Sequence, residues 1–450
     1  MSVLSLIDQI ASTSKTNEKK AILESIVGTD QETTFKLVCH MTYDPQYNYW
    51  MSSFEMPTVF MGVINLHDAL ISLRETITKR QITGHAAQGW VSDLAGNLTE
   101  EDAQVLYKVI QRDLKCGISS TTINKIWSYL IYQHPYMRCS SFSEKNLKNI
   151  SYPCLSQMKA DGLYCDLFVY SDSICMMTRN GSTFDLTGFD EYTKQYLCET
   201  YAGYVIQGEL LVKDELGSGW LPRSEGNGIL NSDSIPWDRV HLESWDIVPI
   251  DHFEAGKGTE PYIDRYSNLC NIVNDPCNDI DFVIPIETVV CENADQVFDH
   301  FKKKREQGFE GTVIKDHSGL WVSGTSKYQV KVKVVADCDL VIIGYKEGSG
   351  KHAGKLGAFA CASSDGLLKT SIGGGYKDSD REKFWKDPDS YLGKIIAVKF
   401  NDVVKNQNED STYSLFLPRA IEVRSDKTEA DSLEQIQEQI ASFVDALRML

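Results

Sequence analysis

Lys159-Ala160-Asp161-Gly162 stands between two stretches with the alternating pattern of strands. A lysine amine placed there could attack the α-phosphate of a nucleotide and hold the nucleotidyl group as a phosphoramidate. The amine must be neutral to do so, and a free lysine titrates near ~10.4. Neighbouring cations, a metal or burial therefore have to favour its uncharged form. Average residue usage yields Lys-x-Asp-Gly by chance in roughly a few per cent of chains this long. Alone, it reads as a turn lysine.

Other residues can serve the same chemistry. Leu163–Tyr170 and Ile174–Thr178 read as a hairpin joined by Ser171-Asp172-Ser173. Its return should carry Arg179-Asn180-Gly181 back toward the start, with Arg179 facing Lys159 and binding phosphate. In isolation Arg179 would be a solvated turn residue. Glu209, after Gly208, is a carboxylate that could accept a sugar hydroxyl. Glu310, in Phe309-Glu310-Gly311-Thr312, is a second carboxylate, suited to Mg²⁺. Trp245 lies in a strand pattern, where it either fills the core or stacks on a base. Lys331 and Lys333 share one strand face about 7 Å apart. Val330, Val332 and Val334 form the other, apolar face. Two lysines so placed repel unless an anion lies between them. Arg424-Ser425-Asp426-Lys427 follows the last strand pattern, and Lys302-Lys303-Lys304-Arg305 reads as a solvated helix face.

Three regions have to position these groups. Residues 1–130 read as an all-helical domain. Thr99 is an N-cap candidate, followed by Glu100, Glu101 and Asp102 in the first turn. Val105, Leu106, Val109, Ile110 and Leu114 extend that helix as one apolar stripe up to Gly117. A second helix is expected from Ser119–Ser120 through Ile123 and Trp127. Ser119, Ser120 and Lys125, at its start, suit a phosphate. Residues 134–153 read as a linker into a second, mixed α/β domain, with 131–335 assigned to that domain. Residues 336–450 hold five strand patterns with glycine turns, expected to form an OB-fold β-barrel. Ser432–Leu450 reads as an amphipathic terminal helix. The class is multidomain α+β.

With 450 residues and 42% apolar content the chain can build several cores. No stretch approaches the ~20 apolar residues of a membrane helix, and the first residues lack a secretory layout. A soluble cytoplasmic protein is expected. The twelve cysteines contain no CxxC pair, which argues against structural zinc. The net charge of −18 argues against a chain coated everywhere by nucleic acid, so any nucleic-acid role rests on local motifs.

In this order the pieces resemble the covalent nucleotidyltransferases, whose central domain is ATP-grasp-like. Lys159-x-Asp161-Gly162 is similar to their motif I, Arg179 to motif Ia and Glu209 to motif III. Trp245 is similar to motif IIIa, Glu310 to motif IV, Lys331/Lys333 to motif V and Arg424-x-Asp426-Lys427 to motif VI. The runs VIQRDLKCGISSTTINKIW, RSEGNGILN (223–231) and SLFLPRAIEVRSDKTEA extend the likeness over nearly the whole chain, to ATP-dependent DNA ligases of the T-even phage type. One departure is Tyr164, where the family's motif I carries arginine.

The resemblance implies ATP as AMP donor, Mg²⁺, and a nick in double-stranded DNA as substrate. It implies catalysis by Lys159, Asp161, Lys331 and Lys333. ATP would be bound by Gln157 (through its backbone), Tyr164, Arg179, Glu209, Trp245, the two strand lysines, Arg424 and Lys427. Glu209 and Glu310 would meet the metal. Arg179, Arg223 and Asn227 would join Ser119, Ser120 and Lys125 on the DNA. It further implies a monomer that encircles DNA, without a membrane, in the host-cell cytoplasm. An RNA ligase or a GTP-using capping enzyme would ordinarily lack the helical domain, and an NAD-dependent ligase would carry a zinc module. A catalytically impaired nick-binding protein finds support only in Tyr164.

Overall fold

The computed structural model describes residues 2–217, 219–232, 234–273, 281–349, 352–405 and 412–447. Cys277, residues 409–411 of the last expected barrel strand and residues 448–450 of the terminal helix lie outside them. The chain falls into two compact units. The first comprises Met1–Tyr136, Leu163–Leu242 and Pro249–Glu254; the second comprises Met137–Gly162, Glu243–Val248 and Ala255–Leu450.

The first unit opens on helices Val3–Ala11, Thr16–Ser25, Glu32–Tyr43, Leu66–Leu73, Gly84–Gly96 and Glu100–Ile110. Thr99 caps the last of these as expected, its side chain accepting from the Asp102 backbone N–H. The helix stops at Ile110 rather than Gly117, because Arg112 and Lys115 take left-handed backbone conformations (φ 55° and 58°). Leu114 is still buried, from a loop. The second expected helix is one short stretch, Ser120–Asn124. Trp127 reaches the core beyond its end, and its indole N–H donates to Glu32. The expected hairpin forms: Leu163–Val169 pairs antiparallel with Ile174–Met177 and, on its other side, with Tyr204–Val212.

The second unit holds a mixed five-stranded sheet in the order 137–141, 324–333, 311–316, 154–158, 288–291. Residues 134–153 are therefore not a plain linker: Met137–Ser141 is a strand parallel to Gly324–Lys333, and Glu144–Leu147 is a short helix. Helix Ala294–Glu306 buries Val297, Phe301 and Lys304 along one stripe. Lys304 is 1% exposed and binds Glu287, and Arg305 donates to Asp402 at 2.6 Å. The run 302–305 is thus not simply a solvated face. Helical spacing from Val297 places Lys304 on the buried side.

The C-terminal part is a five-stranded antiparallel sheet in the order 369–372, 356–362, 336–347, 395–400, 419–424, with a two-stranded ribbon, 402–405 with 413–416. Among the described residues no continuous ladder closes it, which corrects the expectation of a closed barrel. Its edges meet at one parallel bridge, Gly374 with Arg419. A Cβ on neighbouring Gly375 (φ +94°) would lie 2.2 Å from the Ala420 carbonyl oxygen. Helix Leu433–Leu447 follows, with Leu433 and Ile436 in the core of this unit.

Candidate active site

Sheet register assembles the lysine site. Strand Cys154–Met158 ends one residue before Lys159, Gly311–Asp316 begins one residue after Glu310, and Gly324–Lys333 ends on Lys333. In the antiparallel pairing Thr312 opposes Met158 and Gly311 opposes Lys333, so the three strand ends coincide. The Lys159 backbone N–H donates to the Gly311 carbonyl at 2.9 Å. Gly311 has φ +151°, and a Cβ there would sit 2.2 Å from the Val332 carbonyl oxygen. Only glycine allows this approach, which sets Glu310 beside both lysines.

Lys159 Nζ lies 2.6 Å from one oxygen of Glu310, and Lys333 Nζ lies 3.2 Å from the other. The Glu310 side chain is 9% exposed, and the lysines are 22% and 23% exposed. Burial works to raise the Glu310 pKa, but the charges and hydrogen bonds of Lys159 and Lys333 outweigh it and hold the carboxyl below its ordinary value. Val330, Val332 and Val334 fill the core while Lys331 and Lys333 are half-buried on the other face, as the alternation required. The anion beside Lys333 is the protein's own Glu310. Asp161 is half-buried.

Around this cluster Met158, Ala160 and Ile286 form an apolar patch with Trp245, Tyr266 and Phe309 packed on it. Trp245 is half-buried, and so belongs in part to the core. The Gln157 side chain is buried and spent, its amide donating to the Tyr262 hydroxyl at 2.7 Å and to Thr288 at 3.1 Å. Lys315, on the strand that Glu310 precedes, was not anticipated. Its ammonium is 4.2 Å from the Tyr262 ring centroid and 5.9 Å from that of Trp245. Burial pulls its pKa down to about 8. Asp246 and Arg265 form a buried pair at 2.8 Å. Polar residues in otherwise apolar strands, Lys315 in GTVIKD and Asp246 in WDIVP, were the available signals.

In the first unit Tyr164 and Glu209 are register partners on adjacent strands. Glu209 is half-buried, and Tyr164 is 5% exposed. The Tyr164 hydroxyl donates to Asp166 at 2.8 Å and accepts from the Gln207 amide at 2.9 Å. Arg179 is exposed, with its guanidinium over the rings of Tyr136 and Tyr164. Arg223 is the exposed first residue of helix Arg223–Leu230, and Asn227 is half-buried within it. Lys125 is exposed. The Ser119 hydroxyl caps its own short helix by accepting from the Thr122 N–H at 3.2 Å. Five residues of helix build little dipole.

Arg424 ends strand Arg419–Arg424 instead of following it. Its guanidinium forms two hydrogen bonds with Asp426, at 2.7 and 2.6 Å, and lies 3.6 Å from Asp339. Lys427 donates to the same Asp339 oxygen at 2.5 Å. Asp339 is 6% exposed, and its backbone N–H donates to Asp431 at 2.8 Å. Its role was missed, because nothing local in CDLVIIG marks a partner so distant in sequence.

Comparison with known proteins bears on the same segments. Residues 137–333 match the family described as ATP dependent DNA ligase domain, and 347–409 match the DNA ligase OB-like domain. The fold is thus that of an ATP-dependent DNA ligase domain followed by an OB-like domain. The chain is 30% identical to the DNA ligases of Enterobacteria phages T4 and T6, over 96% of its own length and 98% of theirs. A solved structure named Pmar-Lig_PreS3 shares the fold, with a TM-score of 0.72 at 21% identity, over 94% of this chain and 99% of that one. The chain belongs to the ATP-dependent DNA ligase family.

Proposed function

We propose that this chain seals nicks in duplex DNA by carrying AMP on Lys159, with ATP as the donor. The observation that carries the reading is the strand-end cluster, in which Glu310 lies between Lys159 and Lys333 at 2.6 and 3.2 Å. The Lys159 nitrogen attacks the α-phosphorus; a P–N bond forms as the P–O bond to pyrophosphate breaks. Glu310, held ionised by Lys159 and Lys333, orients the Lys159 nitrogen by accepting from it, and the positive charge of Lys333 works toward release of the ammonium proton to water. Lys331 and Lys333 supply positive charge to the α-phosphate, Glu209 accepts from the ribose, and Trp245 offers its ring to the adenine. AMP then passes to the 5′-phosphate at the nick, and the 3′-hydroxyl displaces it. Such transfers ask the protein mainly for positioning and charge.

Among the described residues no group of three or more His, Cys, Asp or Glu could hold a metal ion, and Glu310 is engaged by two lysines. Mg²⁺ is therefore read as part of the ATP substrate, which Glu209 and Glu310 can meet only as single carboxylates. Residues 1–130 would serve as the DNA-binding domain, 131–335 as the adenylation domain and 336–450 as the OB domain, closing around DNA as a monomer. Lys125, Arg179, Arg223 and Asn227 would meet the nucleic acid. The single-turn helix gives Ser119 and Ser120 little to add. No described helix is long and apolar enough to cross a membrane.

The test is incubation with α-labelled ATP and Mg²⁺, followed by a denaturing gel. Label should stay on the wild-type protein and be lost in Lys159→Ala. Equal labelling of the variant would refute the assignment, and efficient labelling by GTP would move the chain to the capping class.

A further inference from the structure

The turn that carries Arg179 is held tightly. The Thr178 N–H donates to the Ser182 carbonyl and the Gly181 N–H to the Thr178 carbonyl, both at 2.8 Å. Gly181 has φ +86°, and a Cβ there would fall 2.8 Å from the Tyr132 ring. From this turn the exposed guanidinium lies 4.9 Å from the Tyr136 ring centroid and 5.4 Å from that of Tyr164. The two rings meet edge to face, with centroids 5.0 Å apart.

Behind the clamp runs a buried polar chain. Asp166 is wholly buried, and one of its oxygens accepts from both the Tyr164 hydroxyl and the Gln207 amide at 2.8 Å. Its other oxygen lies 2.6 Å from His134 Nε2, and His134 Nδ1 lies 3.0 Å from the Tyr132 hydroxyl. Burying so many polar groups is a poor way to gain stability over apolar packing. What such a chain does supply is a fixed ring orientation. Its last member, Tyr164, presents a ring face to an exposed cation.

We propose that Tyr136 and Tyr164 are positioning residues for Arg179, forming a two-ring clamp that holds the guanidinium ready for a phosphate. The planar guanidinium suits both stacking and phosphate, and holding it in advance removes rotamer freedom otherwise lost on binding. Position 164 thus contributes through its ring face, and the positive charge comes from Arg179. The proposal rests on the nucleotide-transfer reading above. The phosphate belongs either to ATP or to the DNA end, and separate steps tell these apart.

The experiment uses the full chain and two assays: ATP-dependent self-adenylation with kcat and KM, and single-turnover sealing of a nick already carrying 5′-AMP. Arg179→Ala identifies the step that uses the guanidinium. Tyr136→Leu should slow that same step by roughly threefold to thirtyfold, the range of a lost cation–π contact. Tyr136→Phe, which keeps the ring, should recover most of that loss. In the Tyr136→Leu, Arg179→Ala double variant the Leu substitution should add nothing further. Thermal unfolding of each variant reports folding separately. Multiplying losses in the double variant, or no recovery by Phe, would overturn the clamp. So would an Arg179→Ala protein normal in both assays, and if Lys159→Ala still abolished labelling the transfer reading would stand without the clamp. Normal labelling of Lys159→Ala would remove the reading itself.

Discussion

Two charge clusters of the second unit are built on opposite plans. Lys159, Glu310 and Lys333 stand at the ends of three strands, and the Glu310 side chain is 9% exposed. Arg424, Asp426 and Lys427 lie within four consecutive residues, and the Asp426 side chain is 66% exposed. In the first cluster, register fixes the geometry and partial burial limits screening. In the second, Asp339 and Asp426 hold two cations that water and salt can also reach. A cluster built by register stands ready at one place. Asp426, exposed beside Arg424, can yield its cation to another anion more readily than Asp339 or Glu310, whose side chains are each 9% exposed.

The largest expected effect tests that second plan. If Arg424 and Lys427 serve the departing pyrophosphate, replacing both by alanine should slow self-adenylation by about a hundred- to thousandfold, a typical loss for a preorganised charge contact. Sealing of pre-adenylated DNA should survive, because Lys159, Glu310 and Lys333 are untouched. Equal loss in both assays would mean that the pair acts on DNA or on the fold instead.

Lys315 provides a cation in the same sheet whose burial dominates. Burial lowers its pKa from 10.5 to about 8. Below the folded value both folded and unfolded chains hold the proton, and the penalty of burying the charge is fully present. Between pH 8 and 10.5 the unfolded chain binds more protons, so stability should rise with pH, by about 3 kcal/mol across the window. Urea unfolding of wild type and Lys315→Met across this range should show the rise flattened in the variant. Parallel curves would assign the ammonium a better partner than its surroundings offer.

Glu310→Gln leaves two lysines facing each other without a carboxylate. With both lysines partly exposed, the loss should be about 1–3 kcal/mol at neutral pH. The folded pKa of Glu310 is depressed, so its contribution is present above the ordinary value of 4.5 and is lost as pH falls through the lower folded value. The gap between wild type and variant should therefore narrow only in acid. A gap that stays constant to low pH would place the effect in packing.

The smallest effect separates the clusters directly. Exposed Asp426 is held at about 2 by its hydrogen bonds with Arg424. In about 1 M salt, where the screening length is about 3 Å, its pKa should climb toward the ordinary carboxylate value while that of Glu310 moves less. Carboxyl chemical shifts followed against pH would measure both. Equal movement would erase the distinction between the plans.

Local physics made part of this molecule legible. Thr99 and the carboxylates after it mark a helix start because capping and dipole effects act within one turn. Val330, Val332 and Val334 opposite Lys331 and Lys333 fix the two faces of a strand, since side chains alternate with period two. The order of motifs from Lys159 to Lys427 pointed to the family that the chain belongs to. Local rules also failed where neighbours intervened. The apolar stripe ran on to Leu114, yet the helix stopped at Ile110, since a buried leucine is equally satisfied in a loop. Met137–Ser141 looked like linker because a strand that pairs in parallel needs a partner far along the chain.

By itself the sequence determined residue types, faces and order: which lysine opens the ordered series of motifs, which strands are two-faced, where a cap begins a helix. Only the tertiary structure decided the partners. It set Glu310 between Lys159 and Lys333, gave Arg424 and Lys427 to Asp339, and laid Arg179 on Tyr136 and Tyr164. The reason is range. Caps and alternation arise within a few residues, whereas sheet register and ring packing depend on segments that meet only when the chain has folded.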